Sequence, residues 1–170
     1  MTTSVLVAYA TSYGSTQEVA ESIAKTLRDA GLAVDVQPAR QVKALSGYGA
    51  VVIGAPLYMF HLHADARHFL NRFRSTLASL PSAIFALGPF HNKEDELSSA
   101  RQQLDKELIK YAWLKPLCVE VFVGKFDPAR LRFPYNLMPP LKNMPACDER
   151  DWENINAWAV KTGQALVGSV

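Results

Sequence analysis

The run Val5-Leu6-Val7-Ala8-Tyr9-Ala10-Thr11-Ser12-Tyr13-Gly14-Ser15-Thr16-Gln17-Glu18-Val19-Ala20 decides how this chain is read. It opens as a short apolar strand and closes as an amphipathic helix, in which Val19, Ile23 and Leu27 recur every four residues until Gly31 stops it. Between the two lie four hydroxyls, Thr11, Ser12, Ser15 and Thr16, around Gly14. Backbone N–H groups at a helix N-terminus, joined by hydroxyl donors, form an anion cradle that needs neither Lys nor Arg. Such a cradle suits a terminal phosphate that stays bound. The plainer reading is a capped helix, with Ser15 or Thr16 as the cap. The place of the loop, directly after the first strand of an alternating chain, favours the phosphate.

The same alternation runs through the rest. Apolar runs at 5–8, 34–36, 51–53, 83–87 and 117–123 read as strands. The third, Ala50-Val51-Val52-Ile53-Gly54, is apolar throughout, as a strand covered on both faces must be. Helix patterns occupy 15–30, 64–74 and 94–111. In a last helix Trp152, Ile155, Ala159, Thr162 and Leu166 share one face behind a cap at Asp148 or Asp151. Strands alternating with helices call for a parallel sheet with right-handed crossovers. Five such units make a doubly wound α/β three-layer sandwich, with a five-stranded parallel sheet and helices on both faces. The 170 residues are read as a single domain over 1–170, since domains run to about 100–200 residues.

One segment breaks the rhythm. Residues 125–145 hold Pro128, Pro134, Pro139, Pro140 and Pro145, five of the ten prolines, so neither a helix nor a central strand runs through them. Phe126, Phe133, Tyr135, Leu137, Met138 and Leu141 argue against plain disorder in this insert, which spans about 125–147 after the fifth strand.

Composition removes other classes. Eighteen Lys plus Arg against 16 Asp plus Glu leave a net charge of +2, too near neutrality for nucleic acid to be held by charge. A hydrophobic fraction of 49% excludes a largely disordered chain. No apolar run approaches the roughly 20 residues of a membrane helix. Cys118 and Cys147 form no CxxC or zinc-ligand spacing. The start, Met1-Thr2-Thr3-Ser4, carries no basic region and signal-length apolar stretch, so the chain is read as cytoplasmic.

Ligands of open α/β sheets bind beyond the carboxyl ends of the strands, where strand order switches. Three such ends are of interest: the hydroxyl loop, Pro56-Leu57-Tyr58-Met59-Phe60-His61 after the third strand, and Gly88-Pro89-Phe90-His91-Asn92 after the fourth. A P-loop would need a lysine near Gly14, and there is none. Gly47-Tyr48-Gly49 comes nearest to a dinucleotide fingerprint, but Val52 stands where the last glycine belongs. A phospho-acceptor receiver would need acidic residues after the first strand and an Asp ending the third, where this chain has Tyr9 to Ser12 and Gly54. A mononucleotide phosphate remains, and Tyr58, Phe60 and Phe90 can stack on a flat ring above the sheet.

These residues resemble the flavodoxin-like family, which binds FMN. The string from Ala10 to Ala20 is similar to that family's phosphate loop. Val51 to Ala55, His61-Leu62-His63, Leu80 to Ala83, the Pro-rich insert and Asp151-Trp152-Glu153 are most similar to its menaquinone-dependent protoporphyrinogen oxidase branch. The resemblance implies that Thr11, Ser12, Tyr13, Gly14, Ser15 and Thr16 hold the FMN phosphate. It also implies that Pro56, Leu57, Tyr58, Met59, Phe60, His61, Gly88, Pro89, Phe90, His91 and Asn92 flank the flavin ring. The branch usually has a glycine where Phe60 stands and commonly an arginine at Tyr58. Ordinary flavodoxins also place a glycine in this loop, and Pro56 to Phe60 contains none.

The function expected from the resemblance is an FMN-dependent oxidoreductase that oxidises protoporphyrinogen IX or a similar reduced small molecule with a quinone acceptor. The alternative is a soluble electron carrier between redox proteins. Such carriers commonly have a strongly acidic docking face, which a net charge of +2 does not suggest. His61, His63 and His68 lack a standard metal-ligand spacing and read as a polar rim around the flavin on a loop and helix, with His61 hydrogen-bonded to it. Cys118 reads as a buried small hydrophobe and Cys147 as exposed. In the insert Lys125, Arg130, Arg132 and Lys142 face one acid, Asp127, among apolar side chains. Two readings stand side by side: peripheral contact of 125–145 with the inner face of a membrane or a quinone-bearing partner, and a loop packed over the fifth strand.

Overall fold

The computed structural model describes residues 3–169, and in it the five apolar runs pair into one parallel sheet. Its strands are β1 (Ser4–Tyr9), β2 (Ala33–Pro38), β3 (Ala50–Tyr58), β5 (Ser82–Leu87) and β6 (Cys118–Phe122), in the spatial order β2-β1-β3-β5-β6. A two-residue strand, β4 (His61–Leu62), folds back antiparallel on the end of β3. The chain steps from β1 outward to β2, then back across to β3. The order therefore reverses between β1 and β3, and the loops leaving these strands diverge to open a crevice at their carboxyl ends.

The two faces follow from the period of two along a strand. Val5, Val7 and Tyr9 of β1 join a core with Val19, Ile23 and Leu27 of α1 (Ser15–Asp29) and Ile155, Trp158 and Leu166 of α6 (Trp152–Val167). Leu6, Ala8 and Ala10 turn the other way, toward Ala66, Phe69 and Leu70 of α2 (Ala64–Arg72) and Leu104 of α4 (Glu94–Leu108). In β3, Ala50 and Val52 serve the first core while Val51 and Ile53 serve the second, which is why the stretch from Ala50 to Ile53 has no polar position.

Helix α1 ends as expected at Gly31. Leu32 N–H donates to the Leu27 carbonyl at 3.1 Å and Gly31 N–H to that of Arg28 at 2.8 Å, with Gly31 at φ 91. This is a Schellman ending, which needs a left-handed residue. Helix α6 is capped by Asp151, whose carboxylate accepts from Asn154 N–H at 3.0 Å. The helix expected over 64–74 is instead two: it breaks at Phe73 (φ −103, ψ 20), which closes α2 and opens the one-turn α3 (Arg74–Leu77).

The insert is closed at its root by β7 (Lys125–Phe126), paired antiparallel with β8 (Cys147–Asp148). Between them the prolines allow single turns only: Pro128–Arg130, Tyr135–Leu137 and α5 (Pro139–Lys142). Arg150 ties this root to α1. Its side chain is almost fully buried, pairs with Glu18 and Asp148 at 2.7 Å each, and lies 4.7 Å from the Trp152 ring centre. The guanidinium holds the Asp148 carboxyl below the usual carboxylate range. Cys118 is buried in β6 as expected. Cys147 corrects the expectation of exposure: it is half-buried, its Sγ donates to the Phe90 carbonyl at 3.6 Å, and burial raises its thiol pKa.

Candidate functional site

The hydroxyl loop leaves β1 at Ala10, whose N–H donates to the Gly54 carbonyl at 2.8 Å and so binds the starts of two site loops together. Gly14, at φ 91, is the N-cap of α1, and no side chain caps that helix. The plainer expectation of a Ser15 or Thr16 cap is corrected. Gly14 can take this role because a left-handed residue turns the chain from loop to helix without a Cβ penalty. The first-turn N–H groups are thus left to an outside acceptor.

The loop hydroxyls are arranged as donors. Thr11 Oγ1 accepts from Gly14 N–H at 2.8 Å. Ser12 Oγ lies 3.0 Å from His63 Nε2, while His63 Nδ1 accepts from Asp65 N–H at 3.1 Å. Since Nδ1 accepts, the ring proton sits on Nε2 and is donated to Ser12. Burial lowers the His63 pKa, against an opposing pull from Asp65, which favours this neutral ring. With an acceptor site filled by Gly14 N–H, Thr11 has its own proton free to donate, while the Ser12 hydroxyl also meets the Tyr58 phenol. Thr16 Oγ1 is buried and has no partner among the described residues. These donors, without a carboxylate among them, fit a phosphate monoester at a helix N-terminus.

The second loop is a hairpin. Tyr58 pairs with His61 across β3 and β4, leaving Met59 and Phe60 as a two-residue turn at φ 49 and 70. Such turns normally take Asn-Gly or Gly-Gly. A side chain held left-handed costs about 1–2 kcal/mol, and these two are also 79% and 65% exposed. The missing glycine of the resemblance therefore has a structural counterpart, because the backbone adopts the glycine-favouring conformation without one. Tyr58 is partly exposed, its ring centre 6.1 Å from that of His63, and desolvation raises its phenol pKa.

His61 is not a loop residue, contrary to expectation, whereas His63 lies in the link between β4 and α2. His61 is part of β4, and its Nδ1 lies 3.2 Å from the buried Glu107 carboxylate. His63 caps α2. Burial pushes the Glu107 carboxyl up, but hydrogen bonds from Lys110 at 2.6 Å and from His61 outweigh it and leave the pKa lowered. Phe60, His61, Lys106, Glu107 and Lys110 line a 470 Å³ cleft between the hairpin and α4. Leu57, Gly88 and Pro89 line a neighbouring one of 460 Å³.

The third loop follows β5. Asn92 N–H donates to Glu149 at 2.6 Å and His91 Nδ1 lies 3.2 Å from the same carboxylate, which these contacts hold at a lowered pKa. The Phe90 ring packs 4.9 Å from Phe126. Residues 147–149 of the insert root therefore brace 90–92, and Arg130 Nη1 donates to the Tyr13 carbonyl at 3.0 Å. All three expected loops lie at the carboxyl end of the sheet. Sequence reasoning gives Arg130 and Glu107 no place in the site and takes His63 for rim; only the acid in an apolar helix stripe at Glu107 leaves a signal in the sequence.

Residues 6–138 match the family model described as Flavodoxin domain. The chain belongs to the flavodoxin-domain family. Membership implies a flavin cofactor. A curated relative, protoporphyrinogen IX dehydrogenase [quinone] of Escherichia coli (strain K12), is 24% identical over 130 residues, covering 75% of this chain and 72% of that protein. The structure of an archaeal flavodoxin superposes with a TM-score of 0.63 at 12% identity, covering 96% of this chain and 99% of that one. A cysteine-to-serine mutant of the Pseudomonas aeruginosa flavodoxin gives 0.61 at 19% identity, covering 97% and 99%. The flavodoxin-like α/β sandwich read from the sequence is thus the observed fold.

Proposed function

We propose that the crevice between β1 and β3 holds FMN, and that the chain is an oxidoreductase passing electrons from a reduced small organic molecule to a quinone. The observation that carries the cofactor reading is the uncapped N-terminus of α1 beside the buried, unpartnered Thr16 hydroxyl, at the reversal of strand order. Thr11, Ser12, Ser15 and Thr16 with the N–H groups around Gly14 would hold the phosphate. Residues Pro56 to His61 and Gly88 to Asn92 would flank the ring system. Bound there, FMN supplies hydride and electron transfer. The protein's own part is orientation: neutral His63 fixes Ser12, and the hairpin with Tyr58 and Phe60 screens one side from water.

Protoporphyrinogen IX, or a similar reduced compound, is the substrate this reading favours, supported by the name of the Escherichia coli relative. Quinone access would come through the insert, where Phe133 and Leu137 are exposed in a segment that also carries Arg132 and Lys142, a composition suited to an anionic leaflet. No helix among the described residues is long and apolar enough to cross a membrane. The second reading is an electron carrier, supported by the flavodoxin neighbours and by the exposed Met59 and Phe60 at the rim, which suit a protein partner.

The test is anaerobic. FMN-loaded protein is mixed with protoporphyrinogen and a menaquinone analogue, and porphyrin fluorescence is followed against FMN alone. Protein- and quinone-dependent porphyrin formation supports the oxidase; a rate no higher than the control leaves the carrier. Flotation with anionic liposomes tests the insert, and failure to float removes the membrane contact.

A further inference from the structure

The hydroxyl loop can bind a phosphate without any cation, yet the fold brings one to it across 117 residues of chain. Arg130 closes the turn Pro128–Arg130. That turn is held at its start by Asp127, whose carboxylate accepts from Ala129 N–H at 3.0 Å, and by Pro128, which presets its first φ. The turn follows directly on β7, which is pinned by β8 and, through Arg150, to Glu18 in the first turn of α1. The insert is thus anchored to the same helix whose N-terminus forms the cradle. From this base the Arg130 side chain reaches the loop.

Its Nη1 donates to the Tyr13 carbonyl at 3.0 Å, and a Cβ built on Gly14 would lie 3.7 Å from that nitrogen. A guanidinium has five N–H donors. One is used on Tyr13, and the Nε side lies 4.0 Å from Asp127, so donors remain free at the edge of the cradle. The contact to a backbone carbonyl positions the group without neutralising it. A planar cation held beside a ring of hydroxyl and N–H donors is matched to a phosphate dianion.

We propose that Arg130 is a phosphate-binding residue that gives this flavin site its preference for phosphorylated over unphosphorylated flavin, and thereby couples the insert to cofactor binding. This rests on the FMN reading above. The geometry separates the two ideas, because riboflavin shares the ring and ribityl chain of FMN but lacks the phosphate.

The experiment titrates the full chain with FMN and with riboflavin, following flavin fluorescence, for the wild type, Arg130→Ala and Arg130→Lys. A charge-assisted contact from a half-exposed side chain predicts that Arg130→Ala raises the FMN Kd about tenfold and leaves the riboflavin Kd unchanged. Arg130→Lys, which keeps the charge but not the fork, falls between. Added salt should weaken FMN binding more in the wild type than in Arg130→Ala. An unchanged FMN Kd in Arg130→Ala overturns the proposal and leaves the cofactor reading intact. Equal weakening of both flavins also overturns it, since Arg130 would then only support the loop. A wild type that binds neither flavin overturns the cofactor reading and this proposal together.

Discussion

Gly54 lies where β3 passes the buried Phe85 ring, and replacing it tests how the crevice is built. A Cβ added there would sit 2.0 Å from Phe85 Cζ, 2.4 Å from Cε1 and 2.6 Å from Cε2, against 3.4–4 Å for ordinary contact. Phe85 has no room to yield, being 0% exposed with its ring centre 6.1 Å from Trp158 and 6.2 Å from Phe122. Gly54→Ala must therefore move the ring or the strand by more than an ångström, and overpacking of this kind costs about 3 kcal/mol. Phe85→Leu alone should cost about 1–2 kcal/mol from lost burial. Because the shorter side chain frees the clashing space, the double mutant should be about 1–2 kcal/mol more stable than the sum of the singles. Equilibrium urea unfolding followed by far-UV circular dichroism measures all three. Additivity within about 0.5 kcal/mol would refute the claim that Phe85 is what demands glycine. The site has a stake in the result, since the Gly54 carbonyl anchors Ala10 at the mouth of the hydroxyl loop.

Further perturbations probe the loops. The lowered His63 pKa means that the unfolded chain takes up a proton near the usual value of about 6.5 before the folded chain does. Stability is then full at neutral pH and falls as pH drops below about 6.5, because protonated Nδ1 can no longer accept from Asp65 N–H. His63→Asn keeps a capping oxygen and should flatten the difference in Tm between about pH 7.5 and pH 5; an unchanged difference places the proton elsewhere. Arg150→Met removes both ion pairs from the insert root while retaining bulk, and should cost about 1–2 kcal/mol, since Glu18 and Asp148 can turn to water. Amide hydrogen exchange followed by mass spectrometry should then speed up over 125–148 and not in the central sheet. Equal exchange in the insert would show that β7–β8 pairing alone holds it.

The βα alternation, the two-sided β3 and the hydroxyl loop are readable along the chain because each rests on periodicity and on neighbours a few residues apart. Val19, Ile23 and Leu27 declare a helix face without reference to anything distant, and Gly14 stands among its hydroxyls in the sequence itself. The end of β3 is harder. Met59 and Phe60 carry no turn signal, yet pairing of Tyr58 with His61 forces both into left-handed backbone, a case of tertiary structure overriding local preference. Histidine spacing likewise suggests a polar rim, while the fold uses His61 to satisfy a buried carboxylate and His63 to cap a helix.

Local pattern therefore settles the class of fold and with it the end of the sheet where the proposed phosphate loop lies. It does not settle which partners the residues there take. Ser12 meets His63 across 51 residues, Arg130 meets Tyr13 across 117, and Arg150 reaches Glu18 from the far end of the insert. Such contacts depend on strand order and on the path of each crossover. Only when β3 lies beside β1, and the insert root folds back onto α1, do these side chains share a neighbourhood.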